Sequence, residues 1–231
     1  WRLGIYSAGS NSVIIRNHVH DIAKSSGCDG RGGAGVEGDS YFGGADIDLV
    51  ANVVHDIGSR RCKFVQGVYQ TARGTVVNNV VYRISGWGIH LWHDVEDVIV
   101  ANNTVVMNGR GGILVGGGDY IWTRGPADGI TVANNIVVGN RGPGIQESGD
   151  TGDRNLFTHN LAYRNAPDWR LVTSAPDKAA IRADPGFVVT DAANPIEYRL
   201  DSGSPALGVC NRAFAPPLDI ENVPRSGGAG C

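Results

Sequence analysis

The chain has 231 residues, enough for one substantial core and too few to require two domains. Its 20 Lys and Arg nearly cancel 23 Asp and Glu, and a net charge of −3 supplies no basic face for a nucleic acid. No apolar run is long enough to span a membrane, and none has the pattern of a signal peptide.

Taken in chain order, one segment recurs around an asparagine. It reads IIRNHVHDI at Asn17, LVANVVHDI at Asn52, VVNNVVYRI at Asn79, VANNTVVMN at Asn103, VANNIVVGN at Asn135 and FTHNLAYRN at Asn160. Two places beyond each Asn stands Val19, Val54, Val81, Val105, Val137 or Ala162. A second anchor interleaves with the first: LGIYSA, AGVEGD, QGVYQT, WGIHLW, GGILVG and PGIQES, with Gly at 4, 35, 67, 88, 112 and 144. Each segment has the length and alternation of a short strand, and helical periodicity is absent. Two anchors in fixed order, separated by loops of varying length, describe a coil that closes once per repeat.

Such a coil buries its inner face only by stacking, which predicts an all-β, single-stranded, right-handed parallel β-helix. Six or seven rungs about 4.8 Å apart make a cylinder roughly 30–35 Å tall. The ladder Asn is expected to take φ > 0 at a recurring bend and to bond the Asn above and below. Residues 1–170 are read as rungs and 171–231 as the last rung and an irregular C-terminal cap of the same domain. Tyr6 already lies in a GI strand, so the N-terminal cap is expected to be missing or very short.

The pattern VxxNxV…GIxL resembles the rungs of the pectate-lyase-like superfamily of right-handed parallel β-helices over roughly Gly4 to Asn165. The tail DPGFVVTDAANPIEYRLDSGSPALG resembles the closing segment of many secreted bacterial β-helix proteins and is expected to seal the open end. The resemblance implies a secreted, carbohydrate-active protein. Four cysteines without a CxxC pair suit two disulfides better than zinc. Cys28 and Cys62 fall in matching loops of adjacent rungs, so the expected pairs are Cys28–Cys62 and Cys210–Cys231.

Alternation points Ile and Leu of G-I-x-L inward and x outward. The x column reads Tyr6, Glu37, Tyr69, His90, Leu114 and Gln146, and the next outward column Ala8, Asp39, Thr71, Trp92, Gly116 and Ser148. Flanking loops add Tyr41, Phe42, Tyr120, Trp122 and Arg124 on one side and Arg60, Arg61 and Lys63 on the other. Aromatics and cations around a polar strip suit an anionic polysaccharide, through stacking on sugar rings and pairing with carboxylates. The column His20, His55, Tyr82 and Tyr163 is read as structural, and His90 with His93 is not a metal pair.

These residues point first to a lyase that cleaves a uronic-acid polymer by β-elimination, with an epimerase sharing the same chemistry. His90 is the candidate base and Tyr69 the acid, while Arg61, Lys63 or Arg73 neutralises the carboxylate. Glu37, Asp39, Thr71, Trp92, Tyr41, Tyr120, Trp122, Arg124 and Gln146 are candidate substrate contacts. Glu37 with Asp39 can instead hold Ca²⁺; no other cofactor is implied. The alternatives are a glycoside hydrolase using Glu37 and Asp39, about 6.5–7 Å apart along one strand, and a non-catalytic carbohydrate-binding or structural module.

Overall fold

The computed structural model describes residues 2–24, 32–59, 62–118, 125–175, 177, 179–188 and 198–225. The first rung is β1 (Leu3–Ser7), β2 (Ser12–Ile15) and β3 (His18–His20), and the second is β4 (Gly33–Gly38), β5 (Ile47–Val50) and β6 (Val53–His55). The third holds β7 (Val65–Gln70), β8 (Gly74–Val77) and β9 (Val80–Tyr82), and the fourth β10 (Trp87–Leu91), β11 (Val98–Ala101) and β12 (Thr104–Val106). The fifth is β13 (Gly111–Gly117), β14 (Thr131–Ala133) and β15 (Ile136–Val138). The sixth is β16 (Ile145–Gly149), β17 (Leu156–Thr158) and β18 (Leu161–Tyr163), and β19 (Trp169–Arg170) opens a seventh. Like strands of successive rungs pair in parallel, giving a seven-stranded sheet β1-β4-β7-β10-β13-β16-β19 and two six-stranded sheets. This is the expected right-handed parallel β-helix. Among the described residues no helix is long and apolar enough to cross a membrane.

The bore is filled by columns of aliphatic residues, one member from each rung in each sheet. Val36, Val68, Ile89, Ile113 and Ile145 come from the seven-stranded sheet, Leu49, Val76, Val100 and Val132 from the β2–β17 sheet, and all are fully buried. Val54, Val81, Val105 and Val137 close the triangle from the β3–β18 sheet.

The GI glycine joins this packing, and its reason is space rather than backbone freedom. None of the six has a positive φ. A Cβ on Gly4, Gly35, Gly67, Gly88 or Gly112 would stand 2.4–2.7 Å from a Cγ1 of Val19, Val54, Val81, Val105 or Val137 respectively. The NxV and GI anchors are thus two halves of one contact. Gly88→Ala is expected to cost about 2–3 kcal/mol by overpacking. Adding Val105→Ala should return part of that, with a coupling of at least about 1 kcal/mol in urea melts. Strictly additive losses would refute the contact.

The asparagine ladder is continuous from Asn17 to Asn160. Each Oδ1 accepts both the backbone N–H and the Nδ2–H of the Asn one rung earlier, as in Asn52 to Asn79 (2.9 and 3.1 Å) and Asn79 to Asn103 (2.9 and 3.0 Å). The positive φ, however, belongs to the residue before the ladder Asn: Arg16, Ala51, Asn78, Asn102, Asn134 and His159 lie at 53–59°. The ladder Asn turns inward from ordinary backbone, and its predecessor absorbs the bend. A second ladder, Asn108–Asn140–Asn165, runs five residues further on. Both ladders end on a carboxylate, Asp177 beneath Asn160 and Asp168 beneath Asn165.

The C-terminal segment does two jobs, and the bonds at the open end come from Val172, Thr173, Ser174 and Asp177 rather than from the tail beginning at Asp184 that was expected to seal it. Val172, Thr173 and Ser174 donate backbone N–H groups to the buried Glu147 carboxylate and close the C-terminal end with Asp177. Beyond them the chain returns along the outside. Phe187 and Tyr198 cover Val80, Tyr82 and Val106 on the outer face of the β3–β18 sheet. Asn78 and Asn134, the first residues of two NN pairs, hold this segment through Leu218 O and Asn211. Tyr82, in the column read as structural, is fully buried there. Cys62 and Cys210 are each engaged in a disulfide, and no described cysteine is free. Cys28 and Cys231 lie outside the described residues, as do the pairings expected for them.

Candidate functional site

The outer face of the seven-stranded sheet carries the x column in the expected register. Tyr6 pairs with Glu37, Glu37 with Tyr69, Tyr69 with His90, His90 with Leu114 and Leu114 with Gln146. A groove of about 570 Å³ lies along it, walled by Glu37, Tyr69, His90, Trp92, Arg110 and Gln146.

Glu37 is half-buried on β4, and burial with the nearby Asp39 carboxylate pushes its pKa up to about 7. A burial penalty this large suits a group that exchanges protons near neutrality. Asp39 is differently placed. Its Oδ2 accepts the Tyr6 hydroxyl (2.7 Å), and its Oδ1 accepts the Tyr41 N–H (2.9 Å) and the Thr71 hydroxyl (3.0 Å). Thr71 also accepts the Ser40 N–H at 2.9 Å. Asp39 and Thr71 therefore tie two rungs together, and Glu37 is the carboxyl that faces the groove.

Ca²⁺ takes six to eight oxygen ligands. The Glu37–Asp39 pair does not fit it: both Asp39 oxygens are engaged, and among the described residues no three His, Cys, Asp or Glu form a metal-holding group.

His90 packs between Tyr69 and Trp92, at ring-centroid distances of 5.1 and 5.5 Å. Both of its ring nitrogens lie beneath the surface with no hydrogen-bond partner among the described residues. Burial, reinforced by Arg110 and His93, pushes its pKa down to about 3. It stays neutral at any ordinary pH. The Trp92 indole lies across Gly116 of the next rung, where a Cβ would meet it at 2.3 Å, so Trp92 forms a flat platform on the sheet.

The structure separates the expected cations. Arg73 is turned away in an ion pair with Asp46 (2.7 Å). Lys63 is exposed at the rim, where its carbonyl oxygen accepts from Arg110 at 3.4 Å. Tyr41 and Phe42 are exposed and meet edge to face at 4.9 Å. Arg60, Arg61, Tyr120, Trp122 and Arg124 lie outside the described residues.

Sequence reasoning missed Arg110, Phe64, Gln66, Trp87 and Leu3, all on the groove wall. The cause is local. For Leu3, Gln66 and Trp87 strict alternation fails at the GI pair, because Gly and Ile both face inward, so the residue three before x emerges beside it. The signal was present in the fixed spacing of Gly against Val. Arg110 guanidinium sits 5.5 Å from the Phe64 ring centroid and is the cation that lowers the His90 pKa.

A family model described as "Right handed beta helix region" matches residues 1–167. No curated protein matches the chain. Among solved structures, pectate lyase Pel9A is similar at 14% identity with a TM-score of 0.65, over 97% of this chain. This chain spans 65% of that protein's length.

Proposed function

The chain belongs to the right-handed β-helix family, and from that premise we propose that it is a secreted polysaccharide lyase acting on a uronic-acid polymer. The observation that carries this reading is Glu37, a carboxyl with a pKa of about 7 in a groove that also holds Tyr69 and Arg110. The likeness to a pectate lyase adds the fold on which the site is built.

In the proposed step the polymer lies along the sheet, with one uronate carboxylate against Arg110, whose planar donors suit a carboxylate. Glu37 takes the proton from C5, the C5–H electrons form the C4–C5 double bond, and the C4–O4 bond breaks. Tyr69 gives its proton to O4, and solvent returns the proton from Glu37 to Tyr69. Glu37 replaces His90 as base, because a group with a pKa near the working pH combines adequate basicity with the right protonation state. His90 holds the Tyr69 and Trp92 rings from below, and Trp92 offers a sugar ring its face. A hydrolase would need a second free carboxylate, and Asp39 is fully engaged. Secretion would allow the Cys28–Cys62 and Cys210–Cys231 disulfides that we also propose.

The test is ultraviolet absorbance of the unsaturated uronyl product during incubation with a panel of uronate polymers. Arg110→Ala should lower kcat/KM on the charged polymer by about 10²-fold, with a much smaller effect on its methyl-esterified form. New reducing ends without an absorbance rise would overturn the reading in favour of a hydrolase. Tight binding without turnover would overturn it in favour of a binding module.

A further inference from the structure

On the β3–β18 sheet, away from the groove, three imidazoles gather at the first two rungs. The ring centroids of His18, His20 and His55 lie 5.0, 4.8 and 5.2 Å apart. The Nε2 atoms of His18 and His55 face each other at 2.6 Å. His55 is held from three sides. Its Nδ1 meets Asp56 Oδ2 at 2.7 Å, Asp56 is fixed by Arg83, and its ring stacks on the buried Tyr82 at 4.7 Å.

The tautomers follow from these bonds. A carboxylate only accepts, so His55 donates through Nδ1 and its Nε2 carries a lone pair. His18 therefore donates its Nε2 proton to that lone pair. A carboxylate behind one imidazole nitrogen, fixing the other as a lone-pair donor, is the arrangement that orients histidine ligands of metals. His18 is exposed, so the pair opens to solvent.

We propose that His18 and His55 form a binding site for a late first-row divalent cation that accepts cis ligands at a right angle, Cu²⁺ above all. The geometry selects the ion. Metal–imidazole bonds of about 2.0 Å at 90° put the two nitrogens about 2.8 Å apart, whereas a tetrahedral angle needs about 3.3 Å. From 2.6 Å the first requires an opening of about 0.2 Å and the second about 0.7 Å. His18 moves its Nε2 proton to Nδ1 on binding, a change of tautomer with no change of charge. No third His, Cys, Asp or Glu among the described residues completes the set, so water fills the remaining positions.

The test is titration of the protein with Cu²⁺ near neutral pH, read by calorimetry and electron paramagnetic resonance. One equivalent should bind with nitrogen hyperfine structure in the spectrum. His18→Ala, an exposed substitution, should weaken binding more than tenfold, and His55→Gln should do the same with the circular dichroism spectrum unchanged. Absence of bound copper would overturn the proposal, as would an affinity equal to the parent's in either variant. A Zn²⁺ affinity equal to that of Cu²⁺ would overturn the right-angle geometry.

Discussion

Glu37→Gln should abolish turnover while leaving the β-helix folded, with kcat falling by about 10²–10⁴-fold, the range a positioned proton-transfer group contributes. Gln keeps the volume and the polar contacts of the carboxyl but cannot accept a proton. The parent's kcat/KM should rise through pH 7, where Glu37 loses its proton. A rate that instead follows a group titrating near pH 3 would return the base to His90.

The same substitution carries a second, opposite signature. Glu37 has a folded pKa raised from 4.5 to about 7, so the fold favours its protonated form. Its contribution to stability is fully present below pH 4.5 and is lost as pH rises through 7. A shift of that size corresponds to about 3 kcal/mol. Glu37→Gln should therefore match the parent in stability at acid pH and exceed it by up to about 3 kcal/mol above pH 8. Urea melts at the two pH values measure the difference. A variant that loses activity and gains alkaline stability separates a functional carboxyl from a structural one, because a structural carboxyl would lose both.

The fold was legible because its constraints repeat. Each Val–Gly contact and each ladder Asn occurs once per rung, so the sequence states them several times over, and the register of Tyr6, Glu37, Tyr69 and His90 follows directly. The site was legible only where alternation holds. Glu37 was visible as a position with Asp39 beside it, but its raised pKa depends first on burial between rungs, which no single strand displays. Arg110 was invisible because it stands just before a strand, and its place beside Phe64 arises from stacking loops of unequal length. Asp39 looked equivalent to Glu37 in sequence and is not. Its partners Tyr6 and Thr71 come from the rungs on either side.

The ladder supplies the largest expected change in stability. Asn103 is buried in the middle of it. Its Oδ1 accepts the Asn79 N–H and Nδ2–H at 2.9 and 3.0 Å, and its own Nδ2 donates to Val76 O and Asn135 Oδ1 at 2.8 and 2.9 Å. Asn103→Ala leaves the Asn79 N–H buried without a partner and removes the bonds to Val76 O and Asn135 Oδ1. At about 1–3 kcal/mol for the orphaned group and about 1 kcal/mol for the lost bonds, the loss should be about 3 kcal/mol. Asn17 is the first Asn of the same ladder and only half-buried, so solvent can replace its bonds to Asn52 Oδ1 and Ile15 O. Asn17→Ala should cost about 1 kcal/mol, the ordinary net worth of a partly exposed hydrogen bond. Urea midpoints of the two variants decide the point. Equal losses would mean that each Asn acts alone on its own bend. A steep difference is the result burial predicts, because solvent can stand in for the bonds of a half-buried Asn and not for those of a fully buried one.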